Sequence, residues 1–247
     1  MRVHGRDAAG RDRPAYDSSV LTYRRTLTAS ALAVAALLTT SCTPGADAPG
    51  AGGGAGGKPA ARGTALAAVD TLTVKGRAPK TGYEREKFGR AWADVDGNGC
   101  GTRDDILKRD LTGVRFTDGR CKVASGTLAE DPYTGTAVTY VRGRSKVDID
   151  HVVALSDAWQ KGAGKWDAGT RRRFANDPLN LLAVDAVTNR RKSDGDAATW
   201  LPPNKAYRCA YVARQIAVKK KYGVWVTAGE RDAMKRVLRT CPQQRLP

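Results

Sequence analysis

The stretch Lys146-Val-Asp-Ile-Asp-His-Val-Val-Ala-Leu155 decides the fold, because its residue pattern changes character halfway along. From Lys146 to His151 polar and apolar residues alternate, which predicts a β-strand. Since side chains on a strand point alternately to opposite faces, Asp148 and Asp150 share one face and His151 takes the other. Beyond His151 the chain turns apolar. The stretch therefore places three candidate functional side chains on one short strand.

The segments around this strand predict a hairpin followed by a helix. Thr136 to Val141 is rich in β-branched residues, which predicts another strand, and Arg142-Gly-Arg144 is typical of a turn joining the two. An apolar run follows from Leu179 to Val184. Helical spacing or capping residues predict these helices: Asp104 to Leu111, Asp185 to Lys192, Tyr207 to Tyr222 with Lys219 to Lys221 at its cationic end, and a last helix with Thr227 and Glu230 as a capping box. The fold class is α+β.

After His4 the chain contains a single histidine, His151. One histidine excludes zinc catalysis by several histidines and assigns any imidazole acid–base chemistry to this residue. A partly buried histidine beside a carboxylate would show the same Asp150-His151 pair. The pair alone therefore does not decide between a structural and a catalytic role.

A set of motifs including this pair resembles the HNH endonuclease family, and more closely its exported branch. The matching pieces are Asp148-Ile-Asp-His-Val-Val-Ala-Leu155, Asn176-Asp-Pro-Leu-Asn-Leu-Leu182, Asn189-Arg-Arg-Lys-Ser-Asp194 and Thr199-Trp-Leu-Pro-Pro203. A central asparagine, Asn180, and a second one nine residues later, Asn189, give the resemblance its specificity. The resemblance is good from about Tyr133 to the C-terminus. It implies a ββα-metal (His-Me finger) core, a hairpin and helix around one divalent ion, with flanking helices.

The resemblance implies a role for each matching residue. Asp150 and Asn189 would hold one divalent cation, Mg²⁺ first and Mn²⁺ as the alternative, because both residues offer hard oxygen ligands. His151 would be the general base that takes a proton from the attacking water. Asn180 would orient the imidazole by accepting a hydrogen bond from its other nitrogen. Three cations that follow would bind neighbouring phosphates or form a solvated helix face: Arg190, Arg191 and Lys192.

The charge of the chain favours a polyanionic partner. The formal net charge is +17, and from Val69 onward 34 Lys and Arg face 21 Asp and Glu, a balance of +13. Nucleic acid is the commonest partner of so basic a domain. We expect an endonuclease that cuts DNA, and RNA stays open as a substrate. Because no helix-turn-helix or zinc-finger pattern is present, we expect little sequence preference. The enzyme is expected to be a monomer. The alternative is a non-catalytic, basic nucleic-acid-binding surface lipoprotein.

The N-terminal part predicts export. Residues 1–42 resemble an export signal, with Arg24-Arg25, a short apolar run and a small-residue zone that ends at Cys42. Cys42 is the candidate for lipidation, as in a bacterial lipoprotein. Residues 43–65 form a linker rich in Gly, Ala and Pro, and residues 66–247 form the nuclease domain. The expected location is extracellular or at the cell surface, anchored by lipid to the outer face of the bacterial cytoplasmic membrane.

Four cysteines remain after Cys42, which in an exported chain predicts two disulfides. Four cysteines allow three connectivities. Proximity in sequence favours Cys100 with Cys121 and Cys209 with Cys241. None of them forms a CxxC pair, which argues against a structural zinc site.

A second acidic motif runs from Asp94 to Asp105. It matches several ligand positions of an EF-hand calcium loop: Asp94, Asp96, Asn98 and Asp105. Three features argue for an acidic, disulfide-stabilised turn instead. No second EF-hand is present in the sequence to pair with this loop, Cys100 lies inside the loop, and the last ligand position is an aspartate where glutamate is usual. Both interpretations, a separate Ca²⁺ site and a closed turn, stay open.

Overall fold

The computed structural model describes residue 61 and residues 63–247 of the chain. The predicted export signal, Cys42 and nearly all of the predicted linker lie outside the described residues. Within them, no helix is both long and apolar enough to cross a membrane.

Two small antiparallel sheets form the β part of the fold. The first has three strands in sequence order: β1 (Thr112–Phe116), β2 (Val123–Leu128) and β3 (Val138–Val141). The second pairs β4 (Val147–His151) with β5 (Leu181–Asp185). Both strands of the second sheet are apolar or buried along most of their length, so this sheet lies in the interior.

The predicted hairpin between 136–141 and 146–151 is wrong, although both strands exist. β3 pairs with β2, and β4 pairs with β5. Arg142 explains the separation: its backbone N–H donates to Ala124 and its Nε donates to the Val123 carbonyl at 2.7 Å. These contacts extend β3 along β2. β4 needs a partner that is apolar on both faces, and the run at the start of β5 meets that need.

Seven helices and three 3-10 turns are present in the described part. The helices are α1 (Ala65–Val69), α2 (Thr102–Asp110), α3 (Leu155–Gln160), α4 (Ala168–Ala175), α5 (Ala186–Lys192), α6 (Arg208–Tyr222) and α7 (Ala228–Leu238). The 3-10 turns are Arg85–Phe88, Ala163–Lys165 and Lys205–Tyr207. The helices predicted near 104–111, 185–192, 207–222 and after Thr227 are confirmed, and the class is α+β. The connection between β4 and β5 carries α3 and α4, while α5 follows β5 directly.

The apolar face of α6 enters the core as its pattern predicts, but its lysines do not all face water. Tyr211, Ile216 and Val218 are fully buried. Lys219 is buried too, and its Nζ lies 2.9 Å from Glu230 Oε1. Lys219 lies in the last turn of α6 as predicted, but its charge lies inside the protein. Burial needs charge compensation, which the carboxylate supplies.

The partner of Lys219, Glu230, belongs to a buried network of charges. Lys161 Nζ lies 2.7 Å from Asp157, 2.7 Å from Asp196 and 2.6 Å from Glu230. Thr227 caps α7 as predicted, accepting from the Glu230 N–H at 3.1 Å. The reciprocal half of the capping box is missing because the Glu230 carboxylate is bound to the two lysines. The network ties α3, α6, α7 and the segment after α5 together.

Both disulfides predicted from proximity are present. Cys100–Cys121 joins the segment before α2 to the turn between β1 and β2, across 21 residues. Cys209–Cys241 joins the start of α6 to the segment after α7, across 32 residues. Loops of this size contribute about 3 to 4 kcal/mol each when the unfolded chain is constrained.

Candidate active site

The pairing of β4 with β5 positions the site, because α5 starts as soon as β5 ends. Asp150 lies opposite Leu182 and His151 opposite Leu181 in the register. Asp185 closes β5 and caps α5, accepting from the Thr188 N–H at 2.7 Å. The first turns of α5 are thereby held against β4. β4 carries Asp150 and His151, α5 carries Asn189, and Asn180 directly precedes β5.

Asn189 projects from α5 toward β4. Its Nδ2 donates to Asp148 Oδ2 at 3.4 Å. Within the described part of the chain nothing donates to its Oδ1, so that oxygen is available as a ligand. The Asp148 carboxylate is partly exposed and lies beside Asn189 rather than in the buried core.

Lys192 takes a different role from the one predicted. Its side chain is fully buried, and its Nζ donates to Asp150 Oδ1 at 3.0 Å and to the His151 carbonyl at 2.9 Å. Both roles predicted for Lys192, phosphate binding and a solvated helix face, are wrong, because its buried ammonium is bonded to buried acceptors. Arg190 and Arg191 are exposed on the same helix, and Arg190 lies 3.9 Å from Asp148.

Asp150 is a buried carboxylate with two fixed partners. Tyr133 donates its hydroxyl to Oδ2 at 2.5 Å, and Lys192 Nζ lies 3.0 Å from each of the two carboxylate oxygens. Burial raises the pKa of Asp150, and the Lys192 charge counteracts that rise. Because its oxygens are held on both sides, the orientation of Asp150 is set before any ligand arrives.

His151 is held by a backbone carbonyl. Its Nε2 lies 2.8 Å from the Ala175 carbonyl oxygen. A carbonyl only accepts, so Nε2 carries the proton, and in the neutral ring the lone pair lies on Nδ1. Burial lowers the pKa of His151 to about 3, which keeps the ring neutral near pH 7. The imidazole also lies nearly parallel to the Trp92 ring, at a centroid distance of 6.2 Å and an angle of 16°.

Asn180 does not orient the imidazole, so that prediction is wrong. Its Oδ1 accepts from the Val153 N–H at 2.8 Å and its Nδ2 donates to the Val153 carbonyl at 3.2 Å. Its own carbonyl accepts from the Val152 N–H at 2.8 Å. The fully buried asparagine therefore fixes the backbone immediately after His151. The Ala175 carbonyl, and not Asn180, orients the imidazole.

Two cavities meet at His151. The first, about 340 Å³, is lined by Asp150, His151 and Asn189 together with Lys80, Arg85 and Ser193. The second, about 430 Å³, lies on the side of Trp92 and Arg90. His151, Arg85 and Leu155 line both. The first cavity brings together three of the four residues that the sequence predicts for the site.

The ligands around the first cavity fit a sparsely held, oxygen-preferring cation. Mg²⁺ typically binds through one or two protein oxygens and keeps water and substrate phosphate for the rest. Asp150 and Asn189 both line the cavity, and the Asn189 amide oxygen accepts from no donor among the described residues. No group of three or more His, Cys, Asp or Glu in the described part has the geometry of a closed metal site. The residues suit a hard ion with few protein ligands.

The acidic loop at 94–105 is closed by its own hydrogen bonds. Asp94 accepts from the N–H groups of Gly97 and Gly99 at 2.7 and 2.9 Å, and these bonds lower its pKa. Asn98 donates through Nδ2 to Asp96 at 3.0 Å and to Asp105 at 3.1 Å. An amide donor thus lies where an EF-hand would hold its ion. This arrangement favours the disulfide-stabilised turn over the calcium site.

Comparison with known proteins assigns the family. Residues 101–237 match the family described as GmrSD restriction endonucleases, C-terminal domain. The chain belongs to this family. Asp150, His151, Asn180 and Asn189 all lie inside the matched region of this GmrSD C-terminal domain, whereas Trp92 and Arg85 precede it.

A similar protein is known from Arthroderma benhamiae under the name "Uncharacterized secreted protein". It is 41% identical over 180 residues, which is 72% of this chain and 85% of the relative. Disulfides are rare in reducing compartments and usual in exported proteins. The two disulfides of this chain and the name of its relative are consistent with an extracellular protein.

Sequence reasoning missed two parts of the site, Ala175 and Tyr133, and gave Lys192 the wrong role. The Ala175 carbonyl has no sequence signal, because any residue supplies a backbone oxygen. Tyr133 lies far from Asp150 in sequence and meets it only through the fold. Lys192 had a signal: it lies three residues after Asn189, so both project from neighbouring positions of one helix face.

Proposed function

We propose that this protein is an HNH-type (His-Me finger) endonuclease that hydrolyses phosphodiester bonds of nucleic acid with one divalent cation. One observation carries the proposal: β4, β5 and α5 bring Asp150, His151 and Asn189 to a single cavity. The order strand, strand, helix corresponds to the ββα-metal core that the sequence resemblance implies. Membership in a family named for restriction endonucleases supports the same reaction class.

His151 acts as the general base through Nδ1. The Ala175 carbonyl holds the proton on Nε2, so the lone pair of Nδ1 is ready to accept a proton from water. As the water oxygen attacks phosphorus, the P–O3′ bond breaks and solvent returns a proton to the leaving oxygen. Asn180 keeps His151 in place by fixing the backbone that follows it.

Asp150 and Asn189 would hold the cation, Mg²⁺ first and Mn²⁺ second. When bound, the ion supplies charge neutralisation for the phosphoryl oxygens and the leaving group. Lys192 and Tyr133 keep the Asp150 carboxylate oriented. Lys192 also offsets part of the charge of Asp150, which favours exchange of the ion over permanent tight binding.

The proposed substrate is DNA with little sequence preference. Lys80 and Arg85 line the cavity of His151 and offer cations to the phosphates on either side of the cleaved bond. The net charge of the chain, +17, favours long-range attraction of any nucleic acid. Export by residues 1–42, and a lipid anchor at Cys42, stay part of the proposal for where the enzyme acts.

Plasmid cleavage tests the enzyme class. Purified protein is incubated with supercoiled plasmid in Mg²⁺, in Mn²⁺ or in EDTA, beside His151→Ala and, as a matched surface control, Lys220→Ala. We expect nicking and linearisation that need the divalent ion and disappear only in the His151 variant. Intact plasmid under every ion, with retained binding, would establish the non-catalytic alternative. Equal cleavage by His151→Ala would remove the mechanism while leaving the enzyme class.

A further inference from the structure

The second cavity beside His151 has the size of a small-ligand pocket and contributes nothing to the proposed chemistry. Its volume of about 430 Å³ falls within the usual range of such pockets, roughly 300–1,000 Å³. Its walls are largely apolar or aromatic, with Phe88, Trp92 and Leu155 among them. Because His151 lines this cavity as well, whatever fills it lies next to His151.

Cations stand at both ends of this cavity. Arg85 lines it together with the first cavity, and Arg90 lines it together with a third cavity of about 510 Å³ that also contacts Arg172. These arginines are exposed. Glu86 is the one acid that lines the second cavity, and Asp94 lines the third. The three cavities adjoin one another, with Arg85 shared by the first two and Arg90 shared by the second and third. This spacing of two cations around an apolar cavity suits a nucleic-acid strand, in which two phosphates flank an apolar base.

Trp92 forms the wall between the second and third cavities under backbone strain. Its φ is +56°, and among the described residues Ser193 is the other non-glycine with a positive φ, at +54°. Ser193 lines the first cavity, so the two strained residues flank His151 on either side. Strain of this kind persists where the surrounding structure enforces it, and it concentrates at ligand sites. The fold thus presents the Trp92 ring parallel to the imidazole.

Asn176 adds an unused hydrogen-bond acceptor to the lining. The residue is 1% exposed, and its Nδ2 donates to the Arg172 carbonyl at 2.9 Å. Its Oδ1 is buried and has no partner within the described part of the chain. Buried polar atoms are normally paired, so an N–H from a bound ligand would complete the site.

We infer that this cavity binds one unstacked nucleobase of the substrate, adjacent to the cleaved phosphate, with Trp92 as the stacking platform. The inference rests on the proposed function, since it places the base relative to His151. A base has a flat aromatic face for Trp92 and N–H groups for Asn176, and its phosphates meet Arg85 and Arg90. A base inside a duplex offers neither face nor edge in this way. The enzyme therefore prefers single-stranded or locally opened nucleic acid.

Binding without cleavage tests the inference directly. Fluorescence anisotropy in EDTA measures the affinity of the full protein for a labelled single-stranded 12-mer, for a 12-base-pair duplex and for an all-abasic strand of the same length. Trp92→Leu removes the platform, Trp92→Phe retains an aromatic face, and Trp225→Leu is the control for loss of a partly buried tryptophan elsewhere. Circular dichroism verifies the fold of each variant.

We expect Trp92→Leu to weaken single-strand binding about 10- to 100-fold, the usual effect of losing a base–aromatic stack, and duplex binding less than about threefold. Trp92→Phe restores most of the affinity, and Trp225→Leu matches wild type. The wild type should bind the abasic strand at least about tenfold more weakly than the intact strand. This comparison does not depend on the folding of any variant.

Equal affinity of the wild type for intact and abasic strands would overturn the inference. So would equal losses of single-strand and duplex binding in Trp92→Leu. Because these measurements involve no cleavage, their failure leaves the proposed nuclease untouched if plasmid is still cut. If plasmid is not cut but the intact strand still binds more tightly than the abasic strand, the proposed nuclease activity is wrong and the base-binding site stands.

Discussion

Replacing Lys192 by methionine is the perturbation whose magnitude follows most directly from the structure. Lys192 is fully buried and bonded to Asp150 and to the His151 carbonyl. Methionine keeps most of the apolar volume of the stem and removes the charge. It leaves Asp150, which is 6% exposed, as a buried carboxylate with only the Tyr133 hydroxyl. Breaking one side of a buried ion pair costs about 3 to 5 kcal/mol of unfolding free energy.

The penalty depends on pH with a defined sign. Burial already raises the pKa of Asp150, and loss of Lys192 removes the main interaction that lowers it. The folded variant then binds more protons than the unfolded chain between the ordinary aspartate pKa, about 3.9, and the raised value. Stability of the variant therefore increases as the pH falls through that window, so the deficit is smaller at pH 5 than at pH 8.

Urea unfolding in EDTA measures the effect at both pH values. Lys220→Met, on the exposed side of α6, is the control and should change stability by less than about 0.5 kcal/mol. The double variant Lys192→Met/Asp150→Asn removes both charges and should recover at least about 1 kcal/mol of the loss, since the pair is coupled. A loss below about 1 kcal/mol in Lys192→Met, or no recovery in the double variant, refutes the buried pair.

Three further predictions concern stability. Burial lowers the pKa of His151 from 6.5 to about 3, so the unfolded chain binds more protons than the folded chain between these pH values. Between pH 7 and pH 4.5 the unfolding free energy of wild type should therefore fall by about 2.5 kcal/mol more than that of His151→Gln. Parallel plots of unfolding free energy against pH for the two proteins would contradict this. Asn180→Ala leaves two buried backbone groups unpaired and should cost at least about 2 kcal/mol in urea unfolding. The control Asn204→Ala removes a half-buried helix cap and should cost about 1 kcal/mol or less. Cys209→Ser/Cys241→Ser should lower the unfolding free energy by about 3 kcal/mol, and an unchanged melting temperature would argue against the bond.

Local patterns predicted the elements of the fold well and their partners poorly. β4 and α6 follow from periodicity alone, because alternation and helical spacing are properties of a few neighbouring residues. The partner of β4 is β5, which is separated from it by α3 and α4. A hairpin with the nearer strand was the local expectation, and only the burial of both faces of β4 decides against it.

Buried charges were the other limit. A run of three lysines at 219–221 is typical of a solvated helix end, yet Lys219 lies in the interior beside Glu230. Lys192, in another basic run, was expected to bind phosphate or to face solvent for the same reason. Sequence shows that a residue is charged, but the counter-charge that permits its burial comes from distant segments, as Asp150 does for Lys192.

The candidate site was predictable where the motif supplies side chains and unpredictable where the backbone supplies contacts. Asp150, His151 and Asn189 line one cavity. The orientation of the imidazole depends on the Ala175 carbonyl, while Asn180 holds the chain after His151. Neither contact can be predicted from a side-chain motif, because each involves a backbone atom.

Single-turnover cleavage of a labelled oligonucleotide across a Mg²⁺ titration tests the central claim most directly, with wild type, His151→Gln and Asn189→Ala. The claim assigns proton transfer to His151 and ion binding to Asn189. We predict that His151→Gln cuts about 10²- to 10⁴-fold more slowly at every Mg²⁺ concentration, while Asn189→Ala requires about 10-fold more Mg²⁺ or higher to approach its maximal rate. A His151 variant within about threefold of wild type, or one restored by added Mg²⁺, would contradict the account.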